Sequence, residues 1–142
     1  MHSIKGLKIF RAGVKDAPAI YRLILHVGRR GRVLKRSLSE IGRQINSFFV
    51  AKVGPEMAGC ASLDVYNRKL AEIRSLVVKV PWEQRSIASA LVGRCLREAR
   101  GTKVYEVLVI TDRERLFKRF GFREELHGQK ALFYRPSVLS QI

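Results

Sequence analysis

The sequence is short of cysteine, of acidic residues and of long apolar runs, and each shortage removes a class of protein. Its two cysteines, Cys60 and Cys95, lie far apart with no CxxC and no Cys/His cluster. Neither a disulfide framework nor a metal site is indicated, and both read as small buried residues. No stretch approaches the roughly 18 apolar residues of a membrane span. The opening Met1-His2-Ser3-Ile4-Lys5 lacks the apolar core of a signal peptide, so a cytoplasmic protein with no membrane partner is expected. Only 12 Asp and Glu stand against 28 Lys and Arg, a formal net charge of +16. That excess favours an anionic ligand, nucleic acid or an acidic protein as partner, with plain solubility as the bland alternative.

What is present is enough for one folded domain over residues 1–142, 46% hydrophobic and without internal repeats. Leu7-Lys8-Ile9-Phe10-Arg11 is rich in strand formers. From Asp16, Ile20, Leu23, Ile24 and Val27 recur at helical spacing. Residues 28–36 carry five Lys or Arg and read as an exposed basic connection. Ser37 is placed to cap a second helix containing Leu38, Ile41 and Ile45.

The period then changes. Residues 48–53 and 57–63, joined by Gly54-Pro55-Glu56, read as a hairpin. A third strand spans 70–80, where Pro81 stops its ladder. Residues 85–100 form an amphipathic helix with Ile87, Leu91 and Cys95 on one stripe and Arg94, Arg97 and Arg100 on the wet side. A strand over 104–110, a short helix over 114–120 and last strands at Phe122 and 131–134 complete the chain. A mixed α/β domain with helices on both faces of its sheet follows.

The informative stretch runs from Glu72 to Val92, a strand delivered by a short loop into a helix N-terminus. Unpaired N–H groups and the positive end of the helix dipole there suit a phosphate or pyrophosphate. This loop and strand, together with Leu116-Phe117-Lys118-Arg119-Phe120-Gly121-Phe122, resemble the GNAT superfamily of acetyl-CoA-dependent N-acetyltransferases. Within it, the stretches 31–37, 67–75 and 134–139 resemble the acetyltransferase domain of N-acetylglutamate synthases.

The resemblance implies a mostly antiparallel mixed sheet with a splayed central strand pair and acetyl-CoA bound in the splay. It implies backbone contacts from Leu76 and Val78, and loop amides of Arg85, Ser86, Ile87, Ala88 and Ser89 on the pyrophosphate. Glu72 matches a strand carboxylate that serves as general base; paired with Arg74 or Lys69, it is instead structural. Arg36, Arg135 and Ser137, and more loosely Lys69, match positions that hold the carboxylates of an acidic amino-acid acceptor such as glutamate, a task suited to arginine's planar fork.

Two departures stand out. The family's Q/R-x-x-G-x-G/A loop has Glu83 at its first position and Ser86 at its first glycine, with Ala88 at the last; a Cβ is added where phosphate oxygens approach. Phe117 occupies a position where many members carry a tyrosine that protonates the departing thiolate. Other readings remain: an acetyltransferase of an RNA- or ribosome-associated amine, or an impaired scaffold binding nucleic acid through its basic surface. A homodimer is left open.

Overall fold

The computed structural model of the chain describes residues 4–28, 35–80, 82 and 85–136. They form two compact units, Met1–Asp112 and Arg113–Ile142, where a single domain over 1–142 is the expectation.

The first unit is a five-stranded sheet in the order β1-β2-β3-β4-β5. It comprises β1 (Leu7–Arg11), β2 (Phe48–Val53), β3 (Glu56–Val65), β4 (Leu70–Val78) and β5 (Glu106–Val109). The first four strands pair antiparallel and β5 joins β4 in parallel. Gly54, at φ +59, supplies the left-handed corner of the β2–β3 turn that a side chain would resist. At the β3–β4 turn, Asn67 Oδ1 accepts from the Lys69 and Leu70 amides at 2.8 and 2.9 Å, replacing backbone partners lost at the corner. A parallel partner requires a crossover, and α3 (Arg85–Thr102) provides it.

Helix α3 lies against β2, β3 and β4. Gly59 permits close approach: a Cβ there would meet the Val77 carbonyl oxygen at 2.7 Å and Leu91 Cδ1 at 3.3 Å. The opposite face carries α1 (Ala17–Gly28) and the short α2 (Leu38–Arg43). There Ile20, Leu23, Ile24, Ile41 and Ile45 pack on Phe48, Val50, Cys60 and Val77. Ser37 caps α2, accepting from the Glu40 amide at 3.1 Å.

Several sequence expectations are corrected. Arg36 is not part of an exposed connection: it is 3% exposed, whereas Lys35 is exposed. Arg94 is not on a wet face; its guanidinium lies 4.3 Å from the Phe49 ring centroid and bonds Glu98 at 3.3 Å. Strand β4 ends at Val78, and Val80 is half-exposed; Pro81 lies outside the described residues. Helix α3 runs to Thr102, and β5 is shorter than residues 104–110.

The second unit contains α4 (Glu114–Lys118) and a small hairpin, β6 (Glu125–Leu126) with β7 (Gln129–Lys130). Neither Phe122 nor residues 131–134 form strand. Leu132, Phe133 and Tyr134 are 88%, 75% and 87% exposed, an apolar run that reads as a buried strand in sequence and is not one. Phe117 is buried, edge-on to Phe122 at 5.3 Å.

Candidate active site

The two edges of β4 behave differently along its length. On the β5 side, pairing runs from Leu70 with Glu106 to Ile73 with Val109 and stops. Residues 74–78 continue past it with no β5 partner, so the strands splay. Among the described residues β5 is the sheet edge, which makes the splayed pair terminal rather than central.

On the β3 side, the ladder slips within the same stretch. Cys60 faces Val77 and Ser62 faces Arg74, so Ser75 and Leu76 together oppose Ala61. This is a β-bulge, a device that redirects backbone groups. Ser75 sits in it at φ +55, a left-handed conformation that an L side chain holds only with support from its surroundings. Leu76 and Val78, the expected backbone contacts, both lie in this unpaired, bulged half.

Below the bulge, β3 and β4 assemble a polar cluster on the face opposite α3. Asp64 and Glu72 are cross-strand partners, so their side chains are neighbours. Tyr66 Oη donates to Glu72 Oε1 at 2.5 Å, and Arg74 Nη1 donates to Asp64 Oδ2 at 2.9 Å. The half-buried Glu72 thus takes a tyrosine rather than Arg74 as partner. Partial burial, and then the Glu72 carboxylate, push the Tyr66 phenol up to about 12, keeping it a donor at neutral pH. Asp64 Oδ1 is buried and has no partner.

Arg36 closes the cluster from above. Its Nε donates to Glu40 at 3.0 Å, and its Nη1 donates to Ser62 Oγ at 3.1 Å and to Ser75 Oγ at 3.2 Å. Its Nη2 donates to Gln44 and pairs with Asp64 at 3.5 Å. The guanidinium lies 4.9 Å from the Phe48 ring centroid. Every guanidinium nitrogen of Arg36, expected as a fork for a substrate carboxylate, already faces a protein partner.

At the other end of the splay, α3 opens at Arg85. Ile87 and Ala88 are buried by their side chains and Ser89 is half-buried; in a helix that begins at Arg85 the N–H groups of Arg85, Ser86 and Ile87 have no intrahelical acceptor, whereas those of Ala88 and Ser89 do. Ser86 Oγ is buried without a partner, a polar atom at this turn with no protein group to satisfy it. Glu83 and Gln84 lie outside the described residues. Lys79, just past β4, pairs with Glu56 at 3.1 Å; that contact and Trp82 hold the Glu56 carboxyl below its usual range.

Lys69 is exposed in the β3–β4 turn and Arg135 is exposed in the second unit; Ser137 lies outside the described residues. Sequence reasoning missed Tyr66, Asp64, Ser62 and Ser75. The signal was the turn at Asn67, which sets the register that faces 64 with 72. Among the described residues no His/Cys/Asp/Glu group suits a metal, and no helix is long and apolar enough to cross a membrane.

The chain is similar to several known proteins. An uncharacterized N-acetyltransferase of Chlorobaculum tepidum is 37% identical over 113 residues, 80% of this chain and 73% of that protein. An amino-acid acetyltransferase of Mycobacterium tuberculosis is 31% identical, over 80% of this chain and 67% of its own length. The crystal structure of Rv2747 from Mycobacterium tuberculosis in complex with CoA superimposes with a TM-score of 0.77 at 30% identity, covering 82% of this chain and 72% of that one. Residues 19–122 match the acetyltransferase (GNAT) family. The chain therefore belongs to the GNAT family of acetyl-CoA-dependent N-acetyltransferases.

Proposed function

We propose that the acceptor is the amino group of glutamate or a similar small acidic amino acid, and that β4 carries the chemistry. The observation that supports this most directly is the placement, on one strand, of a carboxylate at Glu72 and a bulge at Ser75 and Leu76 beside an edge that β5 leaves unpaired. The amino-acid acetyltransferase of Mycobacterium tuberculosis supports an amino-acid acceptor.

Acetyl-CoA supplies an activated acyl thioester. The free first-turn amides of Arg85, Ser86 and Ile87, at the head of the 85–89 turn, hold its pyrophosphate, with the Ser86 Oγ as a further donor. Backbone groups of Leu76 and Val78 take the acetyl and pantetheine portions, and the Leu76 amide meets the charge that develops on the thioester oxygen. Glu72 receives a proton from the attacking amine, directly or through water; its hydrogen bond from Tyr66 fixes the carboxylate's orientation. Lys69, Arg135 and Ser137 are the proposed holders of the acceptor's carboxylates. Phe117 has no hydroxyl, so the departing thiolate leaves unprotonated by that residue.

Thiol release from acetyl-CoA, followed with purified protein and a panel of amino acids and simple amines, tests this. Glutamate turns over fastest, and Glu72→Gln lowers kcat by about 10²- to 10³-fold. Absence of release with every amine at millimolar acetyl-CoA overturns the amino-acid acceptor, and faster turnover of neutral amino acids overturns its acidic character. The exposed Arg97, Arg100 and Lys103 favour a second reading, an amine on an acidic macromolecule; retention on structured RNA across a salt series tests that separately.

A further inference from the structure

Arg36 is the most completely buried charge among the described residues with side chains in contact with the bulge, and its contacts have a direction. On one side it is gripped by α2: Glu40 and Gln44, one and two turns along, both bond it, and the Ser37 cap fixes the helix start from which it emerges. On the other side Nη1 reaches two hydroxyls that flank the bulge. Ser62 follows the slip on β3, and its own Oγ donates to the Arg74 carbonyl at 3.2 Å. Ser75 is the left-handed residue inside it. The guanidinium thereby ties the strained position to a helix and to both strands.

We infer that Arg36 is a positioning residue for acetyl transfer, fixing the β4 bulge, and with it the Leu76 amide, through the hydroxyls of Ser75 and Ser62. The inference rests on the reading of Leu76 given above, and it extends that reading to a side chain that touches no substrate. A residue at φ +55 is one for which glycine is ordinarily chosen. Serine serves here because its hydroxyl accepts from a fixed donor, and the extended conformation that would release the bulge also gives up that bond. Lysine is no replacement: a single ammonium on a flexible stem does not reach two hydroxyls, two carboxylates and an amide at once.

The test is a double-mutant cycle of Arg36→Lys and Ser75→Gly, read as kcat and acceptor KM, with coenzyme A affinity by calorimetry and thermal midpoint as fold controls. Arg36→Lys lowers kcat by about 100-fold, the cost of a misplacement near 1 Å. KM for glutamate and coenzyme A affinity stay within about threefold, since positioning acts on the transition state. In the Ser75→Gly background, where the left-handed backbone needs no anchor, the same change costs about tenfold less. Ser75→Ala, a milder variant that folds if Arg36→Lys does not, lowers kcat by about tenfold with KM unmoved.

A rise in glutamate KM with kcat retained overturns the inference and returns Arg36 to carboxylate binding. Equal kcat losses in the two backgrounds overturn it as well, since Ser75 is then not the route. Failure of the glutamate reading is seen separately, as no turnover by the unaltered protein. The bulge is then read directly by amide hydrogen exchange: faster exchange at Ser75 to Val77 than at β1 and β2 in Arg36→Lys supports the anchor, and unchanged exchange overturns it.

Discussion

The two faces of the five-stranded sheet are cut from the same strands, and beside the bulge of β4 they hold different chemistry. Along β3, Gly59, Ala61 and Leu63 alternate with Cys60, Ser62 and Asp64. The first set is small or apolar and receives α3, whose Ile87, Ala88, Leu91, Val92 and Cys95 are fully buried. The second set receives Arg36, with Arg74 and Glu72 beside it. One face holds α3 by dispersion and dry area; the other holds α1 and α2 in the same way around Phe48, Val50 and Val77, but adds at the bulge a few charge-assisted bonds that need every member present. The difference teaches where stability and where catalysis are sensitive. The α3 face can lose a methylene and stay folded, whereas the Arg36 face loses its arrangement when one partner goes.

The sharpest way to break this comparison is Asp64→Ala. It takes from Arg36, whose side chain is fully buried, one of its two carboxylates and from Arg74 its partner, and a buried pair broken on one side costs about 3–5 kcal/mol. Urea unfolding measures it. Leu91→Ala on the opposite face costs about 3 kcal/mol by lost burial and cavity; a Leu91 loss well above the Asp64 loss inverts the comparison. Ser37→Ala removes the cap that holds the start of α2 and costs about 1 kcal/mol. It also loosens Arg36, so its effect on kcat exceeds its effect on stability.

The smallest effect concerns the thiols, one near each face. Burial pushes Cys60 and Cys95 each from 9.0 up to about 12. The fold favours the neutral thiol, so their contribution to stability is complete below pH 9 and is lost as pH climbs from 9 towards 12, where only the unfolded chain ionises. Iodoacetamide at pH 8 labels neither cysteine in the native protein, and a thermal midpoint that declines above pH 9 declines less after both are changed to alanine. Rapid labelling of Cys60 alone shows that the polar face is wet.

Much of the fold was legible because it follows short periods. Ile20, Leu23 and Ile24 mark α1, Ser37 marks a cap, and β1, β2 and the Gly54 turn stand where alternation and turn chemistry place them. What was illegible is what depends on pairing across the sheet. Arg36 sits at the end of a basic run, and nothing local distinguishes a charge that meets Ser62, Ser75 and Asp64 from one that meets water. Glu72 was visible on β4, but its tyrosine partner becomes a neighbour only once the Asn67 turn fixes the register. Residues 131–134 failed for the converse reason, since strand propensity without a neighbouring strand to pair with makes no strand.

The half of β4 that outruns β5 has a further consequence. A row of backbone donors and acceptors left without a strand is an invitation to any extended chain, including another copy of this one. In the binding mode proposed above, the pantetheine arm of the acyl donor, slender and amide-bearing, fills the row and withdraws the invitation. On that proposed mode the protein without acyl donor self-associates more readily than the protein with it, a difference that sedimentation with and without coenzyme A reads.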